Sequence, residues 1–433
     1  MRVRAKAVVW GFLLSLLTSC AQTARLDEQQ RLEVFQFVWN EVKEAHYDPK
    51  LGGVDWEAVR VQYEPKVRSA SSDAEFYRTL EAMLGELKQS HFAIIPSGVY
   101  SAQERASRSG SLGSDTGLVV QLVDGRPLVV RVRAGSSAAQ QGVPPGAEIL
   151  AVDDTLTEQL LNAIRERKLP PVEERFEVAL SFFSLLSGSK GTKRTVRYRD
   201  LEGNEHTVVL ECRVRPAKVA QFGWLPPIPV YVESRRLPGN IGYIHFNAFM
   251  PEVMQELPQR LRELNDTAGL IIDLRGNIGG IGLMAGGVGG YLVSKETPLG
   301  TMRLRQGTFG IMANPQPYRY RRPVVILVDE FSLSTAEIMA QGLKEAGRVQ
   351  VVGRPTPGKA LPSRLTQLPH GGYLQLVMAD FETPKKYRIE GAGVIPDVEV
   401  VFTPEAFRAS ADPVLQKALE LLTRNSAQQV HSN

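Results

Sequence analysis

The run Val324-Val325-Ile326-Leu327-Val328-Asp329-Glu330-Phe331-Ser332-Leu333-Ser334-Thr335-Ala336-Glu337-Ile338-Met339 decides the fold. Its first five residues are apolar and mostly β-branched, which reads as a strand buried on both faces. A polar turn follows, and small hydroxylated residues then open a helical stretch. Residues 269–274 form a second apolar run, again with a glycine-rich turn after it. Strands and helices alternate in this way over 239–403, which predicts an α/β core. A Ser at a helix N-terminus is commonly an N-cap. The same position also suits a nucleophile, because free N–H groups and the positive end of the helix dipole stabilise an alkoxide or oxyanion there.

Upstream, 26–96 reads as helical. Val34, Phe35, Val38 and Val42 recur at helical spacing, as do Phe76, Leu80, Met83, Leu84 and Leu87, with Asp73 as the N-cap of the second run. The polar, serine-rich 101–115 reads as a linker. Short strands are expected at 117–120, 127–132, 148–152, 194–198 and 207–210, with a short helix at 137–142. Residues 156–187 suggest an inserted helical element, and 169–183 carry no assigned role. An amphipathic helix is expected over 412–424.

The chain has 433 residues, enough for two to four domains. Hydrophobic residues make up 43% and charged residues 23%, so a packed core is expected rather than disorder. The net charge of +4 is too small and dispersed for a nucleic-acid binder. Two cysteines, Cys20 and Cys212, give no disulfide framework and no cysteine zinc site. Arg2, Arg4 and Lys6 precede an apolar stretch at 7–17, which suits an export signal and is too short for a stable span. It ends Leu17-Thr18-Ser19-Cys20, which resembles a bacterial lipobox, with lipid carried by Cys20. A plain secretory signal is the alternative. Ala21 after the Cys resembles lipoproteins of the outer membrane, so lipid anchoring at its periplasmic face is expected.

Gly146-Ala147-Glu148-Ile149-Leu150-Ala151-Val152-Asp153 resembles the strand-turn of a PDZ domain, with Gly117-Leu118-Val119 in the place of the loop whose N–H groups take a peptide carboxylate. The alternative is a β-rich spacer. The core resembles the carboxyl-terminal processing (tail-specific) serine proteases. Ser-Leu-Ser-Thr-Ala-Glu matches their nucleophile segment, Gly358-Lys359 their Gly-Lys pair, and Asp273-Leu274-Arg275-Gly276-Asn277-Ile278-Gly279-Gly280 and Gly393-Val394-Ile395-Pro396-Asp397 two further signatures. The resemblance implies Ser334 as nucleophile, with an oxyanion hole from Gly279 or Gly280 and Thr335. It also implies a multidomain α+β protein: signal peptide 1–19, N-terminal helical domain 20–100, linker 101–115, PDZ-like domain 116–215, a crotonase-like ββα protease core 216–410 and a helical tail 411–433.

Two variants of that family overlap here. In one, a desolvated Lys takes the serine proton, which implies Lys359. Ser363 and Ala360 depart from that variant, which usually has Gln and Gly there. In the other, similar to the tricorn protease, a Ser-His pair and a Glu complete a tetrad, which implies Ser90, His91 and Glu390. The base is therefore Lys359 or His91. No metal, nucleotide or other cofactor is implied. The implied partners are proteins or peptides with free C-termini, with an adaptor or a homo-oligomer left open. The rival reading is an inactive, PDZ-containing binding lipoprotein.

Two further motifs fail on chemistry. The segment 353–360 nearly spells a phosphate-binding loop, but Ala360 replaces the magnesium-holding hydroxyl and Pro362 prevents a helix. Gly280-Ile281-Gly282-Leu283-Met284-Ala285 echoes a dinucleotide fingerprint without a ribose-binding acid.

Overall fold

The computed structural model describes residues 25–430, with side chains described to residue 424. The leader and Cys20 lie outside the described residues. Helices α1 (Glu28–Ala45), α2 (Trp56–Arg68) and α3 (Asp73–Gly85) come first. The apolar stripe of α1 packs with Phe76, Leu80 and Met83 of α3 in one core. The N-cap of α3 is Ser72, not the expected Asp73. Its hydroxyl accepts from Glu75 N at 3.2 Å, while Asp73 is already helical and adds negative charge to the first turn.

Strand β1 (Ala93–Ile95) follows, and then helix α4 (Ser97–Arg108) where a linker was expected. Ala102 and Gln103 bury one side of α4, so packing overrides the turn character of its serines. The next sheet is antiparallel, in the order β2 (Leu118–Val123), β3 (Arg126–Val132), β4 (Glu148–Val152), β5 (Lys193–Arg199), β6 (Glu205–Glu211). Between β4 and β5 the chain inserts helices α5 (Thr157–Arg165) and α6 (Pro171–Leu185). One side of α6 packs into this sheet's core through Val178 and Phe182.

The largest core is built on β7 (Val232–Leu237), β8 (Ile241–Phe246), β9 (Gly269–Asp273), β10 (Val324–Val328), β11 (Gln350–Gly353) and the short strand Val398–Glu399, in that order. β7 is antiparallel to β8, and all other pairs are parallel. Every residue of β9 and β10 is buried, as a parallel sheet covered on both faces requires. Alternate residues serve opposite faces. Ile244, Ile272 and Ile326 meet helices α7 (Pro251–Glu263) and α8 (Thr335–Glu345). Tyr243, Ile271, Val325 and Leu327 meet helix α9 (Pro413–Val430) and the β-rich sheet's Val123, Leu128 and Val130. A third sheet, in the order β1, β13 (Tyr373–Val377), β12 (Ser363–Gln367), stitches the N-terminal helices to the core.

The Asp-Leu-Arg signature is a fastening. Arg275 Nε and Nη2 donate to Asp273 at 2.9 and 2.7 Å, and Nη1 and Nη2 reach Asp412, before α9, at 2.7 and 2.8 Å. Tyr243 OH also donates to Asp273. Burial alone would raise the Asp273 carboxyl, but the Arg275 guanidinium holds it well below the carboxylate range. Arg275→Leu would strand a fully buried charge. It should cost about 3–5 kcal/mol, seen as a lower urea midpoint with unchanged slope. A midpoint equal to wild type would show that the fastening contributes nothing.

Candidate active site

Strands β8 to β11 run parallel, and the chain leaving their C-terminal ends converges, the place where open α/β sheets bind ligands. Phe249, past β8, donates its N–H to Gly279 O at 2.7 Å, and Leu333, past β10, donates to Asn277 O at 2.9 Å. Asp329 binds the same two loops, accepting from Gly276 N at 3.0 Å and Phe331 N at 2.9 Å.

Ser334 is the N-cap of α8, at φ 54° and ψ −113°. A residue with a Cβ held there costs on the order of 1–3 kcal/mol. Such a sharp strand-to-helix turn lifts a hydroxyl clear of the sheet. Gly279 lies directly against it. A Cβ on Gly279 would sit 2.8 Å from Ser334 Cβ and 3.1 Å from Thr335 N, so only glycine keeps this space open. The Gly279 N–H already donates to Asn277 Oδ1 at 2.9 Å. Thr335 Oγ1 donates to Gly280 O at 3.0 Å, which ties the glycine loop to the start of α8.

The pairing of β1 with β13 sets Ser90-His91 beside the core. His91 Nδ1 lies 2.7 Å from Ser90 Oγ, and Ser90 Oγ donates to Glu390 Oε2 at 2.8 Å. Glu390 also accepts from Ser90 N at 2.8 Å and Ala360 N at 3.1 Å. Burial raises the Glu390 carboxyl, and these donors pull it back. A Ser90 hydroxyl that donates to Glu390 has only lone pairs left for His91. The imidazole therefore carries its proton on Nδ1 and its lone pair on Nε2. Burial, and then the Lys359 cation, push the imidazole down to about 4.

Lys359 is placed differently. Its Nζ pairs with Glu173 at 2.6 and 2.8 Å, and Glu173 lies in the first turn of α6. On the same helix Arg175 lies 3.8 Å from buried Glu330, and Phe176 and Leu180 pack on Leu333 and Phe331. The stretch without a role in the sequence thus docks on the turn that carries Ser334. Glu337 ends the matched Ser-Leu-Ser-Thr-Ala-Glu segment, where the sequence reading assigned it no role of its own. It is fully buried and takes the N–H of Ser334 at 2.9 Å. Gly117, at φ +91°, and Leu118 and Val119 lie at the start of edge strand β2, where a Cβ on Gly117 would strike Ser136.

Comparison with known proteins places this geometry. Residues 240–400 match peptidase family S41, and residues 27–85 match the tricorn protease C1 domain. Residues 240–400 form a peptidase family S41 domain. This S41 peptidase is a serine-type peptidase of the carboxyl-terminal processing proteases. It is 27% identical over 430 residues to a carboxyl-terminal-processing protease of Synechocystis sp., covering 97% of this chain and 92% of that one. It is 26% identical over 326 residues to the carboxy-terminal processing protease CtpB of Bacillus subtilis, covering 72% and 61%. Its fold matches the photosystem II D1 C-terminal processing protease at a TM-score of 0.58 and 23% identity, over 89% of this chain and 96% of that one. Mature CPAF aligns at 0.63 and 16%, over 94% and 99%. The N-terminal helices and mixed α+β architecture expected from the sequence agree with these folds.

The buried imidazole has a measurable signature. Between pH 6.5 and about 4, the unfolded chain binds a proton that the folded site refuses. Stability from this group is therefore full above pH 6.5 and falls as the pH drops toward 4. The loss should be roughly 3 kcal/mol. Urea unfolding at pH 7 and 4.5 should show it in wild type and show a shallower fall in His91→Gln. Equal slopes in both proteins would place the pH dependence elsewhere.

Proposed function

We propose that this S41 peptidase is an endopeptidase of the cell envelope that cleaves exported or misfolded proteins, taken by their C-terminal tails. Ser334 is the nucleophile in this reading, and His91 the base, oriented by Ser90 and Glu390. The observation that carries it is the hydrogen-bonded string Glu390–Ser90–His91, which keeps the imidazole proton on Nδ1 and the lone pair on Nε2. The serine proton passes to Nε2 as Oγ bonds the peptide carbonyl carbon. The same proton then goes to the leaving amine as the C–N bond breaks, and water repeats the sequence to release the acyl group.

Lys359 fits the base poorly. An ammonium paired with Glu173 has no lone pair for the serine proton. The oxyanion donors are the N–H groups of Gly280 and Thr335, since the Gly279 N–H is taken by Asn277. Residues 116–215 form the PDZ-like unit. An extended tail would add to edge strand β2, with its carboxylate at Gly117-Leu118-Val119. The leader supports lipid anchoring through Cys20, facing the periplasm from the outer membrane.

Helix α6 bears on the turn before Ser334, so the PDZ-like unit is placed to gate the site. Glu173→Gln should speed cleavage of a short peptide that ignores the PDZ-like unit by about fivefold, roughly 1 kcal/mol for a partly exposed ion pair. No change would remove the ion pair from any gate.

The deciding experiment is degradation of an unfolded exported protein by wild type beside Ser334→Ala, His91→Ala and Lys359→Ala. Ser334→Ala and His91→Ala should lose at least about 10³-fold in rate, while Lys359→Ala keeps measurable turnover. A dead Lys359→Ala beside an active His91→Ala would hand the base to the lysine. Turnover surviving in Ser334→Ala would end the nucleophile assignment.

A further inference from the structure

Glu337 lies three residues past Ser334, on the first turn of α8, and takes no part in the proton path above. Its carboxylate is nonetheless the meeting point of two parts of the site. Oε2 accepts from Ser334 N and Lys359 N, each at 2.9 Å. Oε1 accepts from Thr356 Oγ1 at 2.5 Å and Gly358 N at 2.8 Å. All four partners are donors, and the group is wholly buried. The next amide along, Ala360 N, donates to Glu390. Consecutive residues 359 and 360 therefore join the string that ends at Ser334 to the one that ends at His91.

We propose that Glu337 is a positioning residue for the peptidase reaction: it fixes the backbone of Ser334 against the 356–360 loop and so sets the hydroxyl relative to His91. The inference rests on Ser334 and His91 acting as proposed above. Its physical basis is the strained turn. At φ 54° Ser334 sits in a region that side-chain-bearing residues rarely adopt, and the Glu337 bond to its N–H is what holds that amide. Release of the amide lets the turn relax, and the following peptide plane, which carries the Thr335 N–H, rotates with it. The amides of Gly358 and Lys359 explain the near match to a phosphate-binding loop. They do cradle an anion, and the chain supplies it.

The test uses the full chain with Glu337→Gln, which keeps shape but has one acceptor oxygen where four donors need two. Acylation is read with a fluorophosphonate probe, in which Oγ bonds phosphorus, fluoride leaves and the serine proton passes to His91. Peptide kcat, KM and melting temperature are read in parallel. Glu337→Gln should lower the acylation rate and kcat by about 10- to 100-fold, with KM within about twofold. Val34→Ala, buried in α1 far along the chain, controls for destabilisation alone. A merely structural Glu337 would behave like Val34→Ala, with a lower melting temperature and wild-type acylation at 25 °C, and that result overturns the proposal. Ser334→Ala is run beside them. If it still reacts with the probe, the underlying assignment of the nucleophile has failed, whatever Glu337→Gln does.

Discussion

The antiparallel pairing of β1 with β13 makes one site out of two distant parts of the chain. Ser90 and Glu390 lie 300 residues apart and share two hydrogen bonds. Three backbone registers, from Ala93 with Gln375 to Ile95 with Tyr373, set the height at which Ser90 and His91 stand against the core. Without that pairing the N-terminal helices would be a separate bundle, and Ser90 and His91 would not stand beside Glu390. The cost of ordering so long a loop is borne by the apolar core those helices share with Leu361, Leu374 and Leu376.

A second constraint works at the other end of the molecule. Asp273, Arg275 and Asp412 fasten helix α9 to the end of β9, two residues before the loop that leads to Gly279. Ligand-side loops usually gain precision from rigid elements behind them. Here the rigid element is a charge triad centred on buried Arg275, which fixes the direction in which the loop leaves the sheet.

Much of this was legible in the sequence, and the failures share a cause. The apolar runs at 269–274 and 323–328 announce buried strands by composition alone. The linker reading of 101–115 did not foresee helix α4, whose buried Ala102 and Gln103 serine content cannot reveal. Lys359 and His91 were indistinguishable by spacing. In the fold Lys359 pairs with Glu173, which belongs to a helix in another part of the chain. Gly279 and Gly280 were likewise equivalent until the Asn277 side chain took one of the two amides. Glu337 entered the sequence reading as the end of the nucleophile segment, but its surroundings did not, because most donors to its carboxylate come from 356–359, about twenty residues on.

The contact of α6 with the Ser334 turn has two halves of opposite character. The Glu173–Lys359 pair is electrostatic, with Glu173 partly open to solvent. The packing of Phe176 and Leu180 on Leu333 is apolar and buried. Its 2.6 Å separation lies well inside the Debye length of about 10 Å at 0.1 M and its lysine is buried, so dissolved ions weaken the first half only slightly. Strongly hydrated anions such as sulfate strengthen the second. The hold of this helix on the site is thus a function of the medium, and it depends on which salt is present more than on how much.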